Sequence, residues 1–171
     1  TGGEPLVRRD VVRLVELIAR GTGLTDLVMT SNGSRLSELA LPLRKAGLSG
    51  VNVSVDTLDA ERFRQITRGG ELRRVLSGVH AALDAGLEVK INAVLMRGIN
   101  DQDAQALVDW AFDLGVTPRF IELMPLGEAS KLPASVFMSQ SELVALLGGR
   151  VQELPAREFV SLAGRGPARY L

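Results

Sequence analysis

Two hydrophobic periods alternate along this chain, and that alternation limits its fold more than any other feature. Short β-branched runs stand at residues 24–30, 50–55, 87–95 and 118–124. Between them, apolar residues recur every three or four positions, the spacing of one helix face. Val11, Leu14, Val15 and Ile18 mark a first helix, with Asp10 as its expected cap and Gly21 or Gly23 as its end. Leu36, Leu39 and Leu43 mark a second, stopped by Gly47. Residues 58–67 and 71–85 give a broken third, stopped by Gly86, and residues 103–114 a fourth, led in by Asn100 and Asp101 and closed by Gly115. A further helix is expected over 139–147 and a short strand over 151–154. Residues 126–136, with Gly127 and Pro133 inside them and Pro125 just before, read as one long irregular loop. Strands separated by helices imply a parallel sheet with right-handed crossovers, hence an α/β fold. Four strands are too few to close an eight-stranded barrel, so they fit a sector of one or a small open sheet.

The strand patterns separate these options. Val51, Val53 and Val55 alternate with Asn52, Ser54 and Asp56, and Val89, Ile91, Ala93 and Leu95 alternate with a face that begins Lys90, Asn92. Val28, Thr30 and Asn32 share one face, as do Phe120, Glu122 and Met124. A parallel strand covered by helices on both sides is apolar on both faces. Here the apolar face must meet the helices. The polar face must meet something that satisfies it, because an unpaired buried polar group costs about 1–3 kcal/mol. A wet or ligand-filled barrel lumen is the simplest partner. Lys90 lies mid-strand and needs a carboxylate, a phosphate or water, with a ligand favoured over an ion pair. Asn32-Gly33 serves equally well as a plain turn.

Composition excludes several classes. Lys plus Arg is 20 and Asp plus Glu is 20, so there is no net positive charge for non-specific nucleic-acid binding. No run of about 18 apolar residues or signal-peptide pattern is present, which favours a cytoplasmic protein without a membrane partner. There is no cysteine, so disulfides, thiolate metal sites and a cysteine nucleophile are excluded within these 171 residues. They read as a single domain, residues 1–171, and as a piece of a longer protein, since the first residue is Thr1.

Five ordered motifs carry more specific information: Thr1-Gly2-Gly3-Glu4-Pro5, Thr30-Ser31-Asn32-Gly33, Asn52-Val53-Ser54-Val55-Asp56, the stretch KINAVLMRGIND at 90–101, and RFIELMP at 119–125. Together they resemble the radical S-adenosylmethionine (SAM) superfamily, and within it the GTP-cyclising family of molybdenum cofactor biosynthesis. The resemblance implies a truncated TIM-type (βα) barrel, from about the end of its second strand through its sixth. It places SAM against Gly3, Glu4, Ser54 and Met124, and GTP against Thr30 and Lys90. Met124 would pack its thioether on the adenine. For the intact enzyme it implies a one-electron cleavage of SAM, abstraction of the GTP ribose 3′-hydrogen, and closure onto guanine C8 to 3′,8-cyclo-7,8-dihydro-GTP. It also implies two [4Fe–4S] clusters on cysteines that flank this stretch, an electron donor, and a downstream pterin-forming enzyme; a homodimer is left open. No residue here is expected to act as an acid–base catalyst or to ligate metal, and the isolated 171 residues are expected to be inactive.

Two other readings stay open. A barrel enzyme could act on a phosphorylated carbonyl compound through a Schiff base on Lys90. A non-catalytic scaffold could leave its polar faces merely solvated. His80 reads as structural, Trp110 as core, and Arg8, Arg9, Arg13, Arg73 and Arg74 as solvated helix faces, with Arg8 and Arg9 close enough to the Gly-Gly-Glu-Pro turn to reach a ligand. Arg119 is set aside because alternation puts it opposite Glu122 and Met124.

Overall fold

The computed structural model describes residues 3–24 and 26–148; the strand expected over 151–154 lies outside them. In chain order the elements are α1 (Val11–Thr22), β1 (Val28–Ser31), α2 (Leu36–Lys45), β2 (Gly50–Ser54), α3 (Ala60–Ile66), α4 (Leu72–Asp84), β3 (Glu88–Val94), α5 (Ala104–Asp113), β4 (Thr117–Ile121) and α6 (Gln140–Leu147). Short 3-10 turns precede α1 at Pro5–Val7 and α5 at Asp101–Asp103. Two more, at Gly127–Lys131 and Ala134–Val136, lie within the expected irregular stretch. The four strands form one parallel sheet in the order β1-β2-β3-β4, with β1 and β4 at its edges. This is the open sector of a βα barrel expected from the alternation.

Register explains the two faces. Registered residues in a parallel pair point to the same side. Met29, Val51 and Val89 form one row, and Ser31, Val53, Ile91 and Pro118 the next. Val51, Val53, Val89, Ile91 and Ala93 are all buried and cluster with Leu36, Leu43, Val75, Val79, Leu107 and Ala111 from the helices. The helices therefore cover one face only. Helix α4 packs tightly on the turn after β1. A Cβ on Gly78 would lie 2.4 Å from the Gly33 carbonyl oxygen, and one on Gly33 would meet Val53 Cγ1 at 2.7 Å. Gly33 also has φ +75°, which a side chain rarely tolerates.

Side chains cap some helix starts and not others. Asp59 Oδ1 accepts from the Arg62 amide at the start of α3. Ser139 and Glu142 form a reciprocal capping box on α6. The Ser139 amide and the Arg97 guanidinium, with the Ser139 hydroxyl, pull the Glu142 carboxyl down to about 2. Asp10 occupies the cap position of α1 without capping it; its carboxylate takes Arg8 at 2.7 Å instead. That pair also answers whether Arg8 points to a ligand, because its Nε is spent on Asp10. Gly23, with φ +63°, ends α1. His80 is exposed on α4, and Trp110 is partly buried against the core.

Candidate functional site

The opposite face of the sheet is polar in ordered rows. Thr30, Asn52, Lys90 and Thr117 are registered across all four strands. One step toward the strand C-termini, Ser54, Asn92 and Arg119 form the next row. Adjacent strands are about 4.8 Å apart and successive rows about 6.6 Å, so Thr30 and Lys90 are roughly 10 Å apart and Ser54 is diagonal to Lys90. Ligands of parallel sheets bind beyond the C-terminal strand ends, and these rows lead there.

The atoms on this face are under-used by the protein. Asn52 Nδ2 donates to Thr30 Oγ1 at 3.4 Å, which leaves the threonine hydroxyl hydrogen free to donate elsewhere. Ser54 is half-buried, and its hydroxyl makes no hydrogen bond among the described residues. Asn92 Oδ1 is buried and has no partner among the described residues. Arg119 is half-buried and has no ion-pair partner among the described residues. Asp56, just past Ser54, accepts from the Val94 amide at 2.8 Å, and burial raises its carboxyl above the usual aspartate value despite that bond. The result is a face with an orphan acceptor, an unpaired cation and idle hydroxyls.

Lys90 departs from the expected arrangement. Its ammonium meets Glu88 Oε1 at 2.7 Å, so its first partner is a carboxylate two positions back on the same face of the same strand. Glu88 is exposed, and an ammonium has three donors, so the pair leaves Lys90 able to meet a further anion.

The Gly3-Glu4-Pro5 turn sits at the C-terminal end of β1 because Glu4 fastens it there. Glu4 Oε1 accepts from the Ser31 hydroxyl at 2.7 Å and the Leu6 amide at 3.0 Å, and Oε2 accepts from the Asn32 amide at 2.7 Å. Ser31 in turn takes the Gly33 amide at 3.0 Å. Glu4 is thus an anchor for the turn. Beside it, Gly3 is exposed with φ +64°, and a Cβ placed there would meet nothing within 4 Å, so its backbone lies open to close approach.

Strand β4 corrects one sequence inference. It ends at Ile121, and Phe120 is registered with buried Ala93, which puts Phe120 on the helix-covered face. Glu122 and Met124 lie beyond the strand, where alternation no longer applies. Arg119, set aside on that alternation, is the β4 residue that shares the polar face with Asn92 and Ser54. Met124 is 63% exposed at the start of the long loop, at the same sheet end as the Gly3 turn. Asn92 and Arg119 were legible only through register, since sequence shows which residues alternate and not which strands pair. An apolar groove of about 180 Å³ between α1 and β1 is lined by Val11, Val15, Ile18 and Met29 and lies away from these polar rows.

The donor set fits a small zwitterionic nucleoside: an open glycine backbone, a hydroxyl, an orphan amide oxygen and an exposed thioether. It does not fit an iron–sulfur cluster. There is no cysteine in the sequence, and no group of three or more His, Cys, Asp or Glu is placed to hold a metal among the described residues. No helix among them is long and apolar enough to cross a membrane.

Comparison with known proteins adds to this geometry. The chain is 49% identical to GTP 3′,8-cyclase 1 of Pseudomonas aeruginosa, a match that takes in all of this chain and 51% of that protein. It is 49% identical to the GTP 3′,8-cyclase of Marinobacter nauticus and 40% identical to that of Petrotoga mobilis, in each case over 99% of this chain and 51% of the relative. The chain thus spans about half the length of the curated relatives it matches. Residues 1–111, which run from the Gly-Gly-Glu-Pro motif through β3 and into α5, match the family model described as the radical SAM superfamily. With a parallel sheet alternating with helices and a polar face running to its C-terminal end, the chain belongs to the radical SAM superfamily.

Proposed function

We propose that this chain is the central part of a GTP 3′,8-cyclase of molybdenum cofactor biosynthesis, and that its polar sheet face binds SAM and GTP side by side. One observation carries the reading. Thr30, Lys90, Ser54, Asn92 and Arg119 fall into two adjacent registered rows, with an orphan acceptor and an unpaired cation among them. A solvated scaffold has no reason to bury an amide oxygen without a partner.

Gly3, Ser54 and Met124 are proposed to hold SAM, with Glu4 fixing the Gly3 turn. The open backbone of Gly3 offers its amide and carbonyl, Ser54 a two-way hydroxyl, and Met124 a polarisable surface for the adenine ring. When bound and reduced by one electron, SAM supplies the hydrogen-atom abstraction. Thr30 and Lys90 are proposed to hold GTP, and Arg119 joins them as a cation suited to phosphate. The protein's own share of the work is to fix the two ligands in contact and exclude water. The [4Fe–4S] clusters, the electron donor and the pterin-forming enzyme that takes the product belong to the proposal for the whole protein, as does a cytoplasmic setting.

A Schiff-base role for Lys90 is less well supported. Its ammonium is engaged by Glu88 rather than seated in an apolar pocket. The test is anaerobic turnover of the full-length, cluster-reconstituted protein with GTP, SAM and a reductant. The expected result is 3′,8-cyclo-7,8-dihydro-GTP with matching 5′-deoxyadenosine, and none from the 171 residues alone. A full-length protein that makes 5′-deoxyadenosine but no GTP-derived product would overturn the substrate assignment.

A further inference from the structure

The stretch at residues 95–101, in the turn after β3, holds one side chain with an unusual set of partners. The Arg97 amide donates to the Val136 carbonyl at 2.9 Å. Arg97 Nε donates to the Ser135 carbonyl at 3.1 Å, and Nη2 to the Phe137 carbonyl at 3.4 Å and to the Glu142 carboxylate. One residue therefore grips three consecutive carbonyls and the first turn of α6. All lie across from it, at the far end of the loop that leaves β4.

The base from which Arg97 reaches is rigid. The Met96 amide donates to Asn100 Oδ1 at 2.8 Å, and the Gly98 amide to Asp101 Oδ1 at 2.9 Å. Asn100 is completely buried, and its Nδ2 donates to the carbonyls of Asp56 at 2.7 Å and Val94 at 3.0 Å. The turn is thus fastened to the C-terminal ends of both β2 and β3. The loop it grips is otherwise bonded mainly to itself: Leu126 to Met124, Ala129 to Leu126, Ser130 to Gly127, and Lys131 to Glu128. At its root, Glu122 Oε1 accepts from the Gln140 amide. Met124 lies between that root and the segment held by Arg97.

We propose that Arg97 is a positioning residue that pins the loop 122–138 across the C-terminal end of the sheet and so sets the affinity for SAM through Met124, without touching the ligand itself. This rests on the proposed function, which places SAM at that end. A planar guanidinium suits the task because its fixed fork holds the Ser135 and Phe137 carbonyls in one set geometry, which the freely rotating donors of an ammonium do not fix. The ion pair with Glu142 is half-exposed, so most of the hold comes from the carbonyl bonds.

The experiment uses full-length protein, reconstituted anaerobically, as wild type, Arg97→Ala, Arg97→Lys and Glu142→Gln. Amide hydrogen exchange over residues 122–138 and equilibrium SAM and GTP affinities are measured. Arg97→Ala is expected to speed exchange in the loop about tenfold and weaken SAM about tenfold, with GTP affinity changed less than twofold. Arg97→Lys should fall between the two, and Glu142→Gln should stay near wild type. Should Arg97→Ala fail to fold, Arg97→Lys carries the same comparison. Unchanged exchange overturns the latch. Faster exchange with unchanged SAM affinity overturns the positioning role. Wild type that binds no SAM overturns the functional reading instead, and the exchange comparison still reports on the latch.

Discussion

Replacing Asn92 with leucine is expected to move stability and ligand affinity in opposite directions. Asn92 Oδ1 is buried on the polar face without a partner, registered beside Ser54 on one strand and Arg119 on the other. An unsatisfied buried acceptor costs about 1–3 kcal/mol in the ligand-free protein. Leucine has a similar size, carries no polar atom and suits a strand at least as well. Asn92→Leu is therefore expected to stabilise the ligand-free full-length protein by about 1 kcal/mol, a rise of roughly 1–2 °C in Tm for a protein about twice the length of this chain. The same substitution deletes an acceptor for a ligand donor, worth about 1.5 kcal/mol, or about tenfold in Kd for SAM. Differential scanning fluorimetry without ligand and anaerobic equilibrium binding read the two quantities separately. A structural amide would lose stability and affinity together, and that parallel fall would refute the argument. Unchanged affinity would refute it as well.

Three further substitutions follow from the contacts. Gly78→Ala should destabilise by about 1–3 kcal/mol despite alanine's better helix propensity, because the new Cβ meets the Gly33 carbonyl oxygen at 2.4 Å and both backbones must part; chemical denaturation of the full-length protein checks this. Glu4→Gln should weaken SAM less than Glu4→Ala, measured by equilibrium binding, because the amide oxygen still accepts from two of the three donors that Glu4 now serves and alanine from none. Asp56→Asn should raise Tm at neutral pH, since burial raises the Asp56 carboxyl and the asparagine oxygen still accepts from Val94. The sign follows from linkage. A carboxyl raised in the folded state weakens folding at pH above that raised value, and the penalty vanishes below the unfolded value near 3.8. The Tm gain of Asp56→Asn should accordingly shrink as pH is lowered toward 3.8.

Much of this architecture is written in local pattern. The period-two alternation of Val51, Val53 and Val55 with Asn52, Ser54 and Asp56 announces a one-sided polar sheet, because each strand meets helices on one face only. The glycines at 23, 47, 86 and 115 mark helix ends for the same local reason. What local pattern does not carry is pairing. Arg119 looks outward when alternation is run back from Met124, and inward once Asn92 is known to be its neighbour, because β4 ends at Ile121. Lys90 finds Glu88 two residues away, a carboxylate close in sequence, where its mid-strand position alone favours a ligand over an ion pair. Asp10 takes Arg8 in place of the α1 amides, since an exposed carboxylate can choose between two nearby donors. The anchoring of the Gly3-Glu4-Pro5 turn by Glu4 spans 27 residues to Ser31, a separation that no short-range pattern encodes.

Whether the polar face of this sheet seats GTP is tested most directly by the affinity of the full-length protein for GTP in Lys90→Met and Thr30→Val, with exposed His80→Ala on α4 as the control. The account predicts at least tenfold weaker GTP binding for Lys90→Met, a smaller loss for Thr30→Val, and no change for the helix variant. Equal GTP affinity in all three would place the nucleotide elsewhere and contradict it.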